Sequence, residues 1–299
     1  MNRTTTLLFF LLSTSLGVSS PALAQGSEDP VDNGYSYDDP IAADGYYPST
    51  FTLRPLTLPR LALRGDFALT FAYFDFGIGD PVTVIGMDVG GAFGVLDDLE
   101  FGLGQSPIAK TLGAPFRLPG LGGDLSPDYA RAFHAPHFYG RYRFVGTEAF
   151  DMGAEVGLVL PTEYTDLGID VAIPMRIRAG GIFALDASVG LLTLFHEDEM
   201  GASDTLLRIS VVVSPRLGND IFYAGLDTGF SLPTENPERT VIPFMIEAGV
   251  TLDTGGATLD AYGNAGMPQF IRPGSEGDVV FTKHWQVLIG ARVHIGFAS

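Results

Sequence analysis

An alternation of apolar residues with polar or small residues, at a period of two, is the feature that most constrains the fold of this chain. From Leu61 onward, segments of roughly ten residues carry the alternation and then stop at Gly, Asp, Asn or Pro. A period of two places successive side chains on opposite faces of a strand, so the pattern predicts β-strands, and no stretch has a helical period. In the last segment one face carries Trp285, Val287, Ile289, Ala291, Val293, Ile295 and Phe297, and the other carries His284, Gln286, Leu288, Gly290, Arg292, His294 and Gly296.

The connections between these segments alternate in length. The predicted strands are 61–74, 82–94, 98–106, 136–145, 149–161, 170–179, 182–195, 204–216, 220–231, 240–252, 257–269 and 282–297. Links after odd strands are long, as in 107–135, whereas links after even strands are short turns, as in 180–181. Short periplasmic turns at one end and long loops at the other are typical of a transmembrane β-barrel. The predicted fold class is therefore all-β, an antiparallel up-and-down transmembrane β-barrel of about 12 strands, within a range of roughly 10–14.

The distribution of charge between the two strand faces predicts which face lies inside. The polar face carries many glycines and charges of both signs in the middle of strands. A soluble barrel or sandwich buries its apolar face, whereas a membrane barrel turns that face to lipid and its polar face to the lumen. The pattern favours the membrane arrangement, with a soluble β-sandwich as the alternative.

Opposite charges on neighbouring predicted strands indicate cross-strand ladders inside the barrel. Arg141 and Arg143 lie on the strand beside Asp151 and Glu155, which in turn adjoins the next strand and its arginines. The predicted lumen lining, and the expected determinant of selectivity, is Arg141, Arg143, Asp151, Glu155, Arg176, Arg178, Asp186, Arg208, Glu247 and Arg292. The same interpretation places Arg64, Asp66, Asp88, Glu100, Asp170, Asp227 and Asp260 on the inner face.

The N-terminal residues differ in kind from the strands. Arg3, the apolar run at 7–12 and the Ala22-Leu23-Ala24 sequence predict a signal peptide at 1–24 that is cleaved before Gln25, and hence export. Residues 25–56 are dominated by Asp, Pro, Gly, Tyr and Ser, which predicts a flexible lead-in that is periplasmic or partly plugs the lumen. The barrel is then expected to occupy residues 57–299.

These features together resemble a Gram-negative outer-membrane β-barrel protein over about residues 57–299. The final strand, with apolar alternate positions and Phe297 near its end, is similar to the C-terminal assembly signal of that family, although Ala298 and Ser299 follow the aromatic residue. The hairpin at 93–103 is similar to hairpins of uncharacterised barrels of a transporter or porin-like type. The resemblance implies a location in the cell outer membrane, contact with outer-membrane lipid, and assembly by the barrel assembly machinery.

Composition and motifs exclude several classes of function. The net charge of −18 argues against a nucleic-acid partner, because nucleic acids select basic surfaces. The chain has no Cys, which excludes thiolate metal sites and Cys nucleophiles. Since no catalytic or phosphate-binding motif is present, we expect no enzyme, no cofactor and no metal. His196 beside the acidic residues 197–199 is the one hydrolase-like cluster, and a solvated loop is the alternative interpretation.

We therefore expect a narrow passive channel for small solutes with a charged lumen. The loop at 107–135 exceeds the usual length of structureless loops, so it is either a constriction of the lumen or a surface loop. A non-conducting structural or adhesion barrel is the alternative if the charge ladders fill the lumen, and an outer-membrane hydrolase ranks third.

Overall fold

The structure is a computed structural model that describes most of the barrel. The described residues are 47–74, 82–104, 136–161, 166–197, 203–234, 240–273, 279–281 and 284–296. All of them belong to one unit, residues 37–299. The predicted signal peptide, residues 25–46 of the predicted lead-in and the loop at 107–135 lie outside the described residues, as do the side chains at 196–199 and at Asp88.

The described chain forms thirteen β-strands and one short 3-10 helix, Phe51–Leu53. The strands are β1 (Ala62–Phe74), β2 (Val82–Leu96), β3 (Leu99–Leu103), β4 (His137–Gly146), β5 (Phe150–Val159), β6 (Leu167–Ala179), β7 (Phe183–Glu197), β8 (Ser203–Gly218), β9 (Phe222–Pro233), β10 (Ile242–Asp253), β11 (Ala257–Pro273), β12 (Val279–Phe281) and β13 (Trp285–Gly296). None of the helices in the described part of the chain has the length and hydropathy needed to cross a membrane.

Antiparallel pairing closes the sheet on itself. Each strand from β1 to β11 pairs with its neighbours in sequence, β11 pairs with β13, and β13 pairs with β1 from Ala62↔Gly296 to Tyr73↔Trp285. Twelve strands thus form a closed barrel, and β12 adds a short pairing on β11. The predicted all-β antiparallel barrel is confirmed, and each predicted segment overlaps one barrel strand. The strand β12 falls in a predicted link, because three residues are too few to show a period.

Side-chain burial alternates along the barrel strands in the sense opposite to that of a soluble protein. On β5, Asp151 is 1% exposed and Glu155 is 0% exposed, whereas Val156 is 57% exposed. On β6, Asp170 is 1% exposed and Ile173 is 47% exposed. Charged residues are rarely buried fully unless they are paired, so a set of buried charges requires an internal network of partners. The exposed apolar faces do not fit the soluble β-sandwich alternative.

Candidate functional site

A segment that precedes β1 crosses the end of the barrel that carries the short turns. We call residues 47–60 the plug segment. Thr57 Oγ1 donates a hydrogen bond of 3.0 Å to the carbonyl oxygen of Asp97, in the β2–β3 turn. Thr52 Oγ1 donates to the carbonyl oxygen of Gly181, in the β6–β7 turn, and Thr50 Oγ1 donates to Asp220, in the β8–β9 turn. The plug segment is therefore attached to three turns around the mouth.

Aromatic and apolar side chains of the plug segment pack inside the barrel. The Phe51 ring, 7% exposed, stacks on Tyr223 with a centroid distance of 4.2 Å. The Tyr47 ring stacks on His294, also at 4.2 Å. Leu58 is 1% exposed, and it packs in a cluster with two alanines of β1 and β2. Such stacked aromatic pairs contribute about 0.5–1.5 kcal/mol each beyond the burial of their area.

Arg54 attaches the middle of the plug segment to the barrel wall. Its Nη1 and Nη2 atoms donate to the two carboxylate oxygens of Asp260 at 2.6 and 2.8 Å, a bidentate pair with side chains 3% and 0% exposed. Nη2 also lies 3.4 Å from Thr251 Oγ1, and Nε donates to the carbonyl oxygen of Pro48 at 3.0 Å. Because an unpaired buried charge is costly, this pair strongly favours the inserted position of the segment.

Carboxylates of the barrel accept hydrogen bonds from the backbone of the plug segment. The Leu56 N–H group donates to Asp151 Oδ2 at 3.1 Å, and the Leu58 N–H group donates to Glu100 Oε2 at 2.8 Å. Buried backbone donors require partners, and a segment without strand neighbours obtains them here from side chains.

Arginines of the barrel donate to backbone carbonyl groups of the same segment. The Arg54 carbonyl oxygen accepts from Arg176 Nη1 at 2.6 Å and from Arg178 Nη2 at 2.9 Å. The Leu56 carbonyl oxygen accepts from Arg141 Nη1 at 2.9 Å. These three arginines belong to the predicted lumen lining, and the structure shows that they contact the plug segment.

The predicted cross-strand ladders are present at this end of the barrel. Arg141 lies directly opposite Glu155 in the β4–β5 register, and its Nη2 is 2.6 Å from Glu155 Oε2. Arg176 lies opposite Asp186 in the β6–β7 register, with Nη2 2.7 Å from Oδ2. Arg178 pairs with Asp151 on the neighbouring strand.

Arg143 has a different main partner from the one that the sequence suggested. Its Nη2 lies 2.6 Å from Asp98, whereas its Nη1 is 3.7 Å from Asp151. Arg143 lies opposite Gly153 in the β4–β5 register, and its backbone N–H donates to the Asp98 carbonyl oxygen at 2.8 Å, which places Arg143 beside the β2–β3 turn. Arg143 therefore contacts the β2–β3 turn more closely than the ladder.

A second group of charges lies at the junction of β1 and β13. Asp66 Oδ1 accepts from Arg292 Nε at 2.6 Å, and Asp66 Oδ2 accepts from Arg64 Nε at 2.9 Å. The Arg292 guanidinium also lies 5.0 Å from the Tyr262 ring centroid and 3.9 Å from Asp260. One carboxylate thus bridges two arginines where the barrel closes.

The two remaining predicted residues occupy different regions. Glu247 is 5% exposed and lies 3.5 Å from Arg216 Nη1, and Arg216 also pairs with Asp227. Arg208 lies towards the loop end of β8, with Nη1 3.4 Å from Ser231 Oγ, apart from the plug segment. Arg54 and Arg216 were absent from the predicted lining. Arg216 is the last residue of the predicted strand 204–216 and has the inward parity of Arg208, so the alternation itself was the signal that could have identified it.

The plug segment and the barrel wall line a cavity of about 150 Å³. Within the described structure its lining is the plug residues Tyr47, Phe51 and 54–58, together with Arg64, Glu100, Arg141, Pro174, Met175, Arg176, Asp186, Ala187, Ser188, Val212, Ser214, Arg216, Glu247, Arg292 and His294. A volume of this size accommodates about five water molecules at about 30 Å³ each. The arrangement can therefore hold water and a small solute between charged groups.

Comparison with known proteins supports the fold. No protein-family profile matches the chain, and no curated protein matches it significantly. The NanC porin structure has a TM-score of 0.51 with 7% identity, covering 75% of this chain and 98% of that one. An outer membrane channel from Pseudomonas putida F1 has a TM-score of 0.46 with 14% identity, covering 81% of this chain and 97% of that one. The similarity to the NanC porin shows that this chain has a porin-like barrel fold.

Proposed function

We propose that the protein is a narrow passive channel for small solutes in the cell outer membrane, with the plug segment as its constriction. The observation that carries this proposal is the cavity lined by charged groups inside a closed barrel whose outer face is apolar. A polar interior behind an apolar exterior is typical of outer-membrane barrels that pass solutes.

The outer surface of the barrel supports the membrane location. Large hydrophobic side chains are exposed on many strands, for example Phe101 at 54%, Ile246 at 53% and Ile289 at 61%. Water disfavours such a continuous apolar surface, whereas lipid chains solvate it. Outer-membrane lipid is therefore the proposed surrounding, and export through the predicted signal peptide with insertion by the barrel assembly machinery is the proposed route.

Charged groups near the plug segment are the proposed determinants of selectivity. Arg141, Arg176 and Arg178 hold the segment through its carbonyl groups, so a change in any of them alters both the local charge and the width of the path. Asp151, Glu155, Asp186 and Glu247 set the opposing negative charge. No catalytic role is assigned to any of these groups, because their contacts are those of a structural ion-pair network.

A non-conducting structural barrel is the second candidate function. The observation that favours it is the dense pairing of the plug segment with side chains of the wall, including the bidentate Arg54–Asp260 pair. If the segment never moves and water cannot pass it, the barrel has an outer surface and loops but no transport.

Single-channel conductance of the folded protein in a planar bilayer tests the proposal. Folding in detergent is first checked by heat-modifiable gel migration. We expect discrete, ion-selective steps whose size or selectivity changes in Arg141→Gln and Arg178→Gln but not in Arg60→Gln, since Arg60 is exposed to solvent. A folded barrel without conductance steps would favour the non-conducting candidate.

A further inference from the structure

Arginine side chains outnumber carboxylates around the cavity behind the plug segment. In the described structure six arginines and three carboxylates line it. The arginines are Arg54, Arg64, Arg141, Arg176, Arg216 and Arg292, and the carboxylates are Glu100, Asp186 and Glu247. The groups that line the cavity therefore include twice as many arginines as carboxylates, although the whole chain has a net charge of −18.

The excess arises because several arginines have their partner carboxylates outside the cavity lining. Asp66, Glu155, Asp227 and Asp260 pair with lining arginines but do not themselves line the cavity. Each of these pairs presents the guanidinium to the cavity and keeps the carboxylate farther back. The paired carboxylates reduce the field of each arginine without blocking its contact with a solute.

Arg216 has hydrogen-bond donors that the protein does not use. The residue is 2% exposed, and its Nε and Nη1 atoms have no hydrogen-bond partner among the described residues. The nearest acid to Nη1, Glu247, has its Oε2 atom 3.5 Å away. A buried guanidinium with unused donors is destabilising unless a ligand or water satisfies them, and a charge-assisted hydrogen bond from such a donor to an oxyanion is about twice as strong as a neutral one.

We propose that this cavity is a binding site for a small oxyanion, a carboxylate or a phosphate, with Arg216 as a central ligand and the other lining arginines around it. The inference deepens the proposed function, and it rests on that function only for the role of the oxyanion as a transported solute. The volume of about 150 Å³ has room for a phosphate or a short carboxylate with a few waters. Glu247 opposes the oxyanion and limits its affinity, which suits a solute that must also leave.

Equilibrium binding to the folded protein in detergent tests the site without any need for conductance. Inorganic phosphate, acetate and tetramethylammonium chloride are titrated at equal ionic strength, with heat of binding as the measurement. We expect phosphate or acetate to bind and tetramethylammonium to give no signal, and the two anion arms separate a phosphate site from a carboxylate site. If neither anion binds to the wild-type protein, the proposal is wrong.

Variants locate the site within the barrel. We expect Arg216→Gln to weaken oxyanion affinity at least about tenfold, because it removes a positive charge and a charge-assisted hydrogen-bond donor. Glu247→Gln is expected to strengthen oxyanion affinity, because it removes the negative charge that opposes the oxyanion. This expected gain can be measured even if Arg216→Gln does not fold. Arg60→Gln, an exposed position, should match the wild type.

A change on the same strand distinguishes a site from a general effect of lumen charge. Arg208 lies eight residues from Arg216 on β8, a separation of about 26 Å at about 3.3 Å per residue. We expect Arg208→Gln to have a much smaller effect than Arg216→Gln, and equal losses in the two variants would overturn the proposal. Conductance without oxyanion binding would refute the site and keep the channel, whereas binding without conductance would refute the channel and keep the site.

Discussion

Replacing Arg54 with alanine should release the plug segment. The change removes a bidentate ion pair with Asp260 whose two side chains are 3% and 0% exposed. Removal of one partner from a buried pair costs about 3–5 kcal/mol, because the remaining charge stays buried without compensation. Arg292 Nη1 lies 3.9 Å from Asp260 and replaces part of the lost interaction, so the lower end of that range applies. A shift of about 3 kcal/mol changes the equilibrium between plugged and open states about 100-fold.

The assay is the open probability of single channels in a planar bilayer. We expect Arg54→Ala to spend far more time open than the wild type, while Arg60→Ala, in the same segment but exposed, behaves like the wild type. The barrel itself should remain folded, because its strand pairings do not involve Arg54. The Arg54→Ala/Asp260→Ala double variant should differ from the sum of the single effects, as expected for groups in contact. An open probability of Arg54→Ala equal to that of the wild type would show that the Arg54–Asp260 pair does not hold the plug segment in place.

Three further changes test other parts of the structure. Asp66→Ala leaves Arg64 and Arg292 without their shared carboxylate at the β1–β13 junction. We expect it to lower the free energy of unfolding of the barrel in urea by about 3–5 kcal/mol, and an unchanged unfolding midpoint would contradict this. Ile289→Arg, on the outer face of β13, should cost about 2–4 kcal/mol of folding free energy in lipid vesicles, against about 0–1 for Leu96→Arg near the turn, and equal costs would argue against a membrane. Gly94→Ala places a Cβ atom against the backbone of the plug segment and should lower the free energy of unfolding by about 1–3 kcal/mol. Gly256→Ala is the control, because a Cβ atom at Gly256 meets open space and should not lower stability. Equal stability of the two variants would show that the plug segment does not pack against Gly94.

The barrel could be predicted from the sequence because strand periodicity is a local property. Twelve segments with a period of two, and the alternation of short and long links, determine an up-and-down sheet without knowledge of any long-range contact. The ladder of Arg141 with Glu155 followed for the same reason, since neighbouring strands in such a sheet are neighbours in sequence. The contact of Arg143 with Asp98 depends on where β3 begins beside β4 at the β2–β3 turn, which periodicity does not show.

The plug segment could not be predicted in detail because its contacts are long-range and aperiodic. Arg54 and Asp260 are 206 residues apart, and the segment follows no strand or helix pattern that would assign it a partner. The predicted boundary between a lead-in at 25–56 and a barrel at 57–299 falls inside the plug segment, whose residues 47–60 pack with the barrel as one unit. The suggestion that the lead-in at 25–56 partly plugs the lumen stays a prediction, and its residues 25–46 lie outside the described residues.

A reversible cross-link tests the central claim, that the plug segment is the constriction of a conducting barrel. Thr50 and Asp220 contact each other through their side chains, and the chain has no Cys, so Thr50→Cys/Asp220→Cys introduces the only thiols. We would place this pair in the Arg54→Ala background and record conductance under oxidising and then reducing conditions, with disulfide formation checked by gel migration. We expect oxidation to suppress the long openings and reduction to restore them. Identical conductance of the oxidised and reduced forms would contradict this claim.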